Sequence, residues 1–284
     1  MKLSFDTDTN LSTEHHLDML AIEGEALSNL ITVFRNSIPD FATAIKASSA
    51  SISSLFDSNK KTIDELSKDQ KLAVLAANHV DWLNYGTRSV AVPENFKGTL
   101  SDYAGTLLYV SKELYQISTA AMADYSTILA TFISNKDDKL ALKDHTAFYK
   151  RLSARREELN NKLAAFTKAH APGATSIRSV IPRASDLEPL IRSAIQLDKE
   201  NSVDRLKDFR DSINKSSDLL DIIIERAKDG DIEKISPAAA MNISKGAYEV
   251  AKIAEFYGVV YYDITALCTV VNGIVGNLIE REAK

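Results

Sequence analysis

From Pro237 to Arg281 the chain carries no further proline, and its apolar residues fall on two interleaved seams. One seam runs Ala247, Val250, Ala254, Tyr257, Tyr261, Ile264, Cys268, Val271, Val275, Leu278. The other runs Ile253, Phe256, Val260, Leu267, Val270, Ile274, and Asp263 interrupts it. Both alternate steps of three and four, the spacing of knobs-into-holes helix packing. A helix with two such seams has neighbours on two sides, so the rest of the chain must be arranged around it. Pro237 suits a first helical turn, where its missing N–H costs nothing. If helical throughout, this stretch is roughly 65 Å long at ~1.5 Å per residue.

The third face of this helix is built from small and polar residues: Gly258, Thr265, Thr269, Asn272 and Gly276, with Gly273 beside them. Such a face lets another backbone approach closely, within the chain or in a second copy. It is the sequence's candidate helix-packing or oligomer interface. The bland reading, a core helix of a bundle, competes with a membrane span. Phe256 to Ile279 is long enough for one and holds a single charge, Asp263. Asn272, Asn277, three glycines and the continuing heptad spacing weigh towards the core helix.

The composition agrees with a helical bundle. Ten glycines and six prolines are few for 284 residues, which favours long uninterrupted helices. The net charge of −5 comes from acidic and basic residues mixed along the chain, which gives no electrostatic case for nucleic acid. The single cysteine, Cys268, lies on a core seam and reads as a small buried hydrophobe. The N-terminal residues have no apolar run of signal-peptide length, so cytoplasmic synthesis is the expectation.

Along the chain, residues 1–10 read as a polar arm and 11–284 as a single helical bundle domain. The stretches near 85–98 and 171–185 are the candidate points of subdivision. Periodic apolar runs predict helices before and after Pro39, from Thr99 to Ser134, from about Lys139 to His170, from Asp186 to Leu197, and from Val203 to Ala227. The Thr99 and Lys139 helices form a helical hairpin, and short connections favour antiparallel neighbours. Two stretches have extended character instead: Arg88 to Pro93 and Arg178 to Pro182, with branched residues before a proline. They pair as a small two-stranded ribbon or serve as helix–helix loops, and the sequence alone leaves both open. The predicted fold is all-α: an elongated bundle of long antiparallel helices around a C-terminal core helix.

Residue constellations that carry chemistry are weak. His15 and His16 are adjacent and point to different helix faces, with Glu14 and Asp18 nearby but no defined further ligands. His79 and Asp81 beside Trp82 lie in an apolar run, where His79 reads as a buried, hydrogen-bonded histidine more readily than as part of a site. His145 and His170 have no spaced partners. Asp137-Asp138 and Asp229-Gly230-Asp231 are turn chemistry and lack the oxygen positions of a calcium loop. The phosphate-binding, nucleophile-elbow and zinc-protease motifs do not occur. The tyrosines Tyr248, Tyr257, Tyr261 and Tyr262 sit at helical spacings and read as core. The sequence therefore offers no catalytic residue, cofactor site or metal site.

The run Ala247-Tyr248-Glu249-Val250-Ala251-Lys252, followed by Phe256-Tyr257-Gly258-Val259-Val260-Tyr261-Tyr262-Asp263, together with a short polar N-terminal arm, resembles the helical internal head and virion structural proteins of large tailed bacteriophages. The resemblance covers the last fifth of the chain. It implies a non-enzymatic structural role in a virion, with protein partners or copies of itself. Prohead proteases of such phages cut after glutamate with a small residue two positions earlier. Ser12-Thr13-Glu14 and Ala21-Ile22-Glu23 fit, which makes Glu14 and Glu23 implied processing sites. Ser111-Lys112-Glu113 and Ala247-Tyr248-Glu249 fit equally, so the pattern is common in this chain. The alternative expectation is a membrane-active protein, akin to a pore former, that stores the apolar helix 256–279 inside a soluble bundle. A third is a helical enzyme assembled around residues such as His79 and Asp81.

Overall fold

In the computed structural model, the described residues are 42–43, 46–47, 50, 81–134, 145–167, 172–200, 203–228 and 237–282. Glu14, Glu23, His15, His16, His79, His170 and both aspartate turns lie outside them. The elements are α1 (Trp82–Tyr85), β1 (Ser89–Pro93), α2 (Leu100–Ile133), α3 (Thr146–Ala164), β2 (Pro172–Ser176), α4 (Ile177–Val180), α5 (Leu187–Glu200), α6 (Val203–Lys228) and α7 (Pro237–Glu282). A 3₁₀ turn, Ala184–Asp186, precedes α5. The fold is all-α with one small ribbon. By contacts the chain divides into two compact units. The first holds 1–53, 116–155 and 207–255; the second holds 54–115, 156–206 and 256–284. Both 85–98 and 171–185 fall within the second.

The helix starts follow local chemistry. At α2 the Thr99 hydroxyl accepts from the Asp102 N–H at 3.1 Å and donates to the Asp102 carboxylate at 2.7 Å, satisfying a donor the helix cannot reach itself. At α1 the Asp81 carboxylate accepts from the Leu83 N–H at 3.2 Å. At α5 the 3₁₀ turn is bracketed by Arg183 and Asp186, and Arg192 holds Glu188 one turn back at 2.6 Å. The sequence places α5 at Asp186 to Leu197, within three residues of its observed bounds.

Core positions match the periodicity. On α7, Ala247, Val250, Ala254, Tyr257, Tyr261, Ile264, Cys268, Val271 and Val275 are all buried, as are Ile253, Phe256, Val260, Leu267 and Ile274 of the second seam. On α5 the stripe Leu187, Leu190, Ile191, Ala194, Leu197 is buried. On α6, Phe209, Ile213, Leu220 and Ile223 are buried. Two tyrosines depart from the expected core: Tyr248 is half-buried, and Tyr262, next to buried Tyr261, is 44% exposed.

In the second unit α2 and α3 run antiparallel: Tyr103 meets the Phe166 ring at 5.1 Å, and Lys162 lies over the Tyr109 ring at 5.7 Å. This is the expected hairpin. In the first unit the chain also places parallel neighbours side by side. His145 and Tyr149 of the α3 start climb alongside Asn242 and Gly246 of α7. Ser126 faces Ser216 at 3.3 Å, and one helical stretch further on Arg226 of α6 donates to the Ile133 carbonyl that ends α2. A cation at those last carbonyls also favours the helix dipole.

The ribbon exists, but with a different second strand. β1 pairs antiparallel with Pro172–Ser176, whereas the sequence suggests Arg178 to Pro182. Ile177 to Val180 instead forms one helical turn, because Ile177 and Val180 stand three apart and both bury. Branched residues tolerate either conformation, and burial decides between them. The Ile177 N–H donates to the Arg88 carbonyl at 2.8 Å, which makes this a hydrogen-bonded pair. Alternation then makes Val90 with Thr175 and Val92 with Gly173 hydrogen-bonded too. Pro93 and Pro172 face each other across a non-hydrogen-bonded position, where neither needs an N–H.

Candidate functional site

Two buried tyrosine–carboxylate centres and one open cleft hold the chemistry of the described residues. In the first unit, α2, α3 and α7 converge on Asp124. Its carboxylate lies 3.0 Å from His145 Nδ1. His145 caps the start of α3: its carbonyl accepts from the Tyr149 N–H at 3.1 Å, and its own N–H donates to Asn242 Oδ1 at 3.4 Å. Lys245 donates to the Thr146 hydroxyl at 2.8 Å, a second tie between the same two helices. Tyr149 lies one turn into α3 and faces Asp124. Burial first, then the Asp124 charge, push its hydroxyl far above the usual tyrosine range. Burial alone does the same for Tyr125.

The sequence misses this centre. Asp124 and His145 stand on different helices, and their spacing carries no motif. The signal that could have found it is Gly246, a glycine inside an otherwise well-formed helix. A Cβ at Gly246 would stand 2.8 Å from the Tyr149 hydroxyl and inside the Tyr125 ring's contact distance. The missing side chain is what lets both tyrosines lie against α7.

The second unit contains the counterpart. Asp263, the one charge on the apolar seams, is 4% exposed. It faces Tyr103, whose hydroxyl is pushed far up by burial first and by Asp263 second. Phe96 and Phe166 wall this centre, with ring centroids 5.4 and 5.1 Å from Tyr103. The Tyr103, Tyr125 and Tyr149 hydroxyls all lack an acceptor of good hydrogen-bond geometry among the described residues. The tyrosine–carboxylate contacts are therefore chiefly electrostatic. A hydroxyl that holds its proton this firmly is a poor acid and stays neutral across the physiological range.

The cleft has a volume of about 370 Å³ and lies in the second unit. The α1–β1 segment supplies Tyr85, Arg88, Ser89, Val90 and Ala91, with Ile177 from α4. The facing wall is α7, through Thr269, Val270, Gly273 and Ile274. The Tyr85 hydroxyl donates to the Ile274 carbonyl at 2.7 Å, which fixes the floor. The Arg88 guanidinium lies 5.5 Å from the Tyr85 ring centroid. Among the described residues Arg88 meets no carboxylate.

The small-residue face is distributed unevenly. Gly258 is buried within the chain, Thr265 and Asn272 are half-buried, and Thr269 and Gly276 are exposed. Thr265 and Thr269 turn their hydroxyls back on the helix, to the Tyr261 and Thr265 carbonyls at 2.9 and 2.8 Å. Among the described residues nothing lies within 4 Å of where a Cβ would stand at Gly273 or Gly276. Asp81, named above with His79 in the enzyme reading, is exposed and caps α1. Among the described residues no cluster of three or more histidine, cysteine or carboxylate groups could hold a metal ion. No protein-family model, curated protein or solved structure matches this chain.

Proposed function

We propose that this chain is a non-enzymatic structural or assembly protein that acts through its helix surfaces, of the kind the virion resemblance implies. The observation that carries the reading is α7. With the described seam residues buried except half-buried Val270, the side bearing Thr269, Gly273 and Gly276 is exposed, with room for an approaching backbone among the described residues. The polar groups of the interior support it as well, because His145, Asp124, Asn242 and Lys245 are spent on holding helices together. Self-association or a protein partner follows, without a cofactor. Sedimentation velocity from micromolar to submillimolar protein tests this. The expected result is reversible association that Gly276→Arg weakens at least tenfold. A hydrolytic or transfer activity abolished by one polar substitution, such as Asp124→Asn, would overturn the reading.

A second reading has its own observation. Ala239–Gly276 is long and apolar enough to cross a membrane, with 56% of its most apolar window buried in the fold. A membrane-active protein would store such a helix inside a soluble bundle. Dye-loaded liposomes of neutral and anionic lipid decide this: leakage at mildly acidic or neutral pH favours it, and intact vesicles throughout remove it.

A further inference from the structure

Three consecutive residues of β1, Ser89, Val90 and Ala91, line the same cleft. Val90 is half-buried while Ser89 and Ala91 are exposed, so all three reach the cleft only if backbone as well as side chains line it. Ile177, opposite Arg88 on the β2 side, closes one end. One edge of β1 is occupied by β2, which takes the Arg88 carbonyl and, by alternation, the backbone groups of Val90 and Val92, while the Arg88 N–H donates to the Tyr85 carbonyl at 3.1 Å. The alternation leaves the N–H and C=O groups of Ser89 and Ala91 directed away from β2, and both residues line the cleft. Across from them α7 offers Gly273, which is exposed and has no described residue within 4 Å of where a Cβ would stand.

We propose that this cleft binds a short extended peptide segment bearing an acidic side chain, by adding it as a third strand to the free edge of β1. Exposed strand edges recruit such segments through main-chain hydrogen bonds, and flanking side chains set the preference. Here the flanking side chain is Arg88, a cation at the cleft wall that meets no carboxylate among the described residues. The volume of about 370 Å³ is at the small end of ligand clefts, ~300–1,000 Å³, and suits only a few residues. Pro93, which has no N–H to offer, ends the usable edge. The proposal goes beyond the assembly reading. Peptide binding and self-association are measured separately, and either can fail without the other.

The test uses two capped peptides, acetyl-Val-Glu-Val-Glu-Val-amide and its lysine counterpart, titrated into the full chain. Calorimetry reads the binding, and the fluorescence of the single tryptophan, Trp82, reports from α1 beside the cleft. The acidic peptide is expected to saturate at submillimolar concentration and the lysine peptide to bind at least tenfold more weakly. Arg88→Gln should remove that preference. Ala91→Pro deletes one outward N–H and leaves the β2 ladder intact, and should weaken binding at least tenfold. Gly273→Phe fills the cleft and should do the same. Circular dichroism melts confirm that each variant is folded. Two results overturn the proposal: no binding of either peptide at millimolar concentration, or unchanged affinity in a folded Ala91→Pro variant, which would make this a small-molecule cleft.

Discussion

Gly246 and Gly273 stand on the same helix and answer to opposite constraints. Gly246, in the first unit, is pressed by Tyr125 and Tyr149 and leaves no room for a methyl group. Gly273, in the second, faces open space at the cleft. Helix propensity alone would replace both with alanine. The difference teaches that a glycine inside a helix can record a neighbour's bulk or an unfilled surface. Only the tertiary environment tells the two apart.

The largest effect should come from alkali, and it separates the units. Burial raises the folded-state pKa of Tyr125 and Tyr149 in the first unit and of Tyr103 in the second. The unfolded value is about 10. Below that pH both states keep the proton and the contribution is fully present. Above it the unfolded chain releases protons that the folded chain retains, so stability falls as pH rises. Urea unfolding followed by circular dichroism between about pH 9 and 11 should show this decline, steepest for the wild type. Tyr103→Phe should relieve one proton's share of the slope, and Tyr125→Phe with Tyr149→Phe two. A flat profile would mean the hydroxyls reach solvent.

Next in size is Gly246→Ala. The propensity gain of about 1 kcal/mol is outweighed by overpacking against two tyrosines, for a net loss of about 1–3 kcal/mol in urea. Tyr149→Phe should restore part of that loss in the double variant, since the hydroxyl is one of the obstructing atoms. Alone, Tyr149→Phe should change stability by less than about 1 kcal/mol, because its hydroxyl has no well-formed hydrogen bond to lose. Gly273→Ala should move the other way, with a gain of up to about 1 kcal/mol. If Gly273→Ala destabilised the chain, the face around it would be covered in solution.

Much of the fold could be read from spacing. The two seams of α7 and the stripes of α5 and α6 predict which side chains bury, because helical periodicity maps directly onto burial. Asp263 was legible as an anomaly, a charge on an apolar seam that needs a partner; its partner, Tyr103, was not. The pairing of Asp124 with His145 was hidden for the same reason: it is set by how helices lie against each other, and no motif spacing records it. The ribbon's second strand was misplaced because Ile177 and Val180 satisfy strand propensity and helical burial alike. The cleft depended on the ribbon and so could not be seen before it.

The facing prolines of the ribbon give it something like a parity check. In the observed register the even-numbered residues of β1 and the odd-numbered residues of β2 turn their backbone groups inward. A slip of one residue can be accommodated only by turning one strand over. That would bring either Pro93 or Pro172 to a position that demands an N–H, and a ladder bond would go missing. Two residues that have no N–H to donate thus reject the misalignment that would turn Val90 and Val92 away from the core, and with it the edge that Ser89 and Ala91 present.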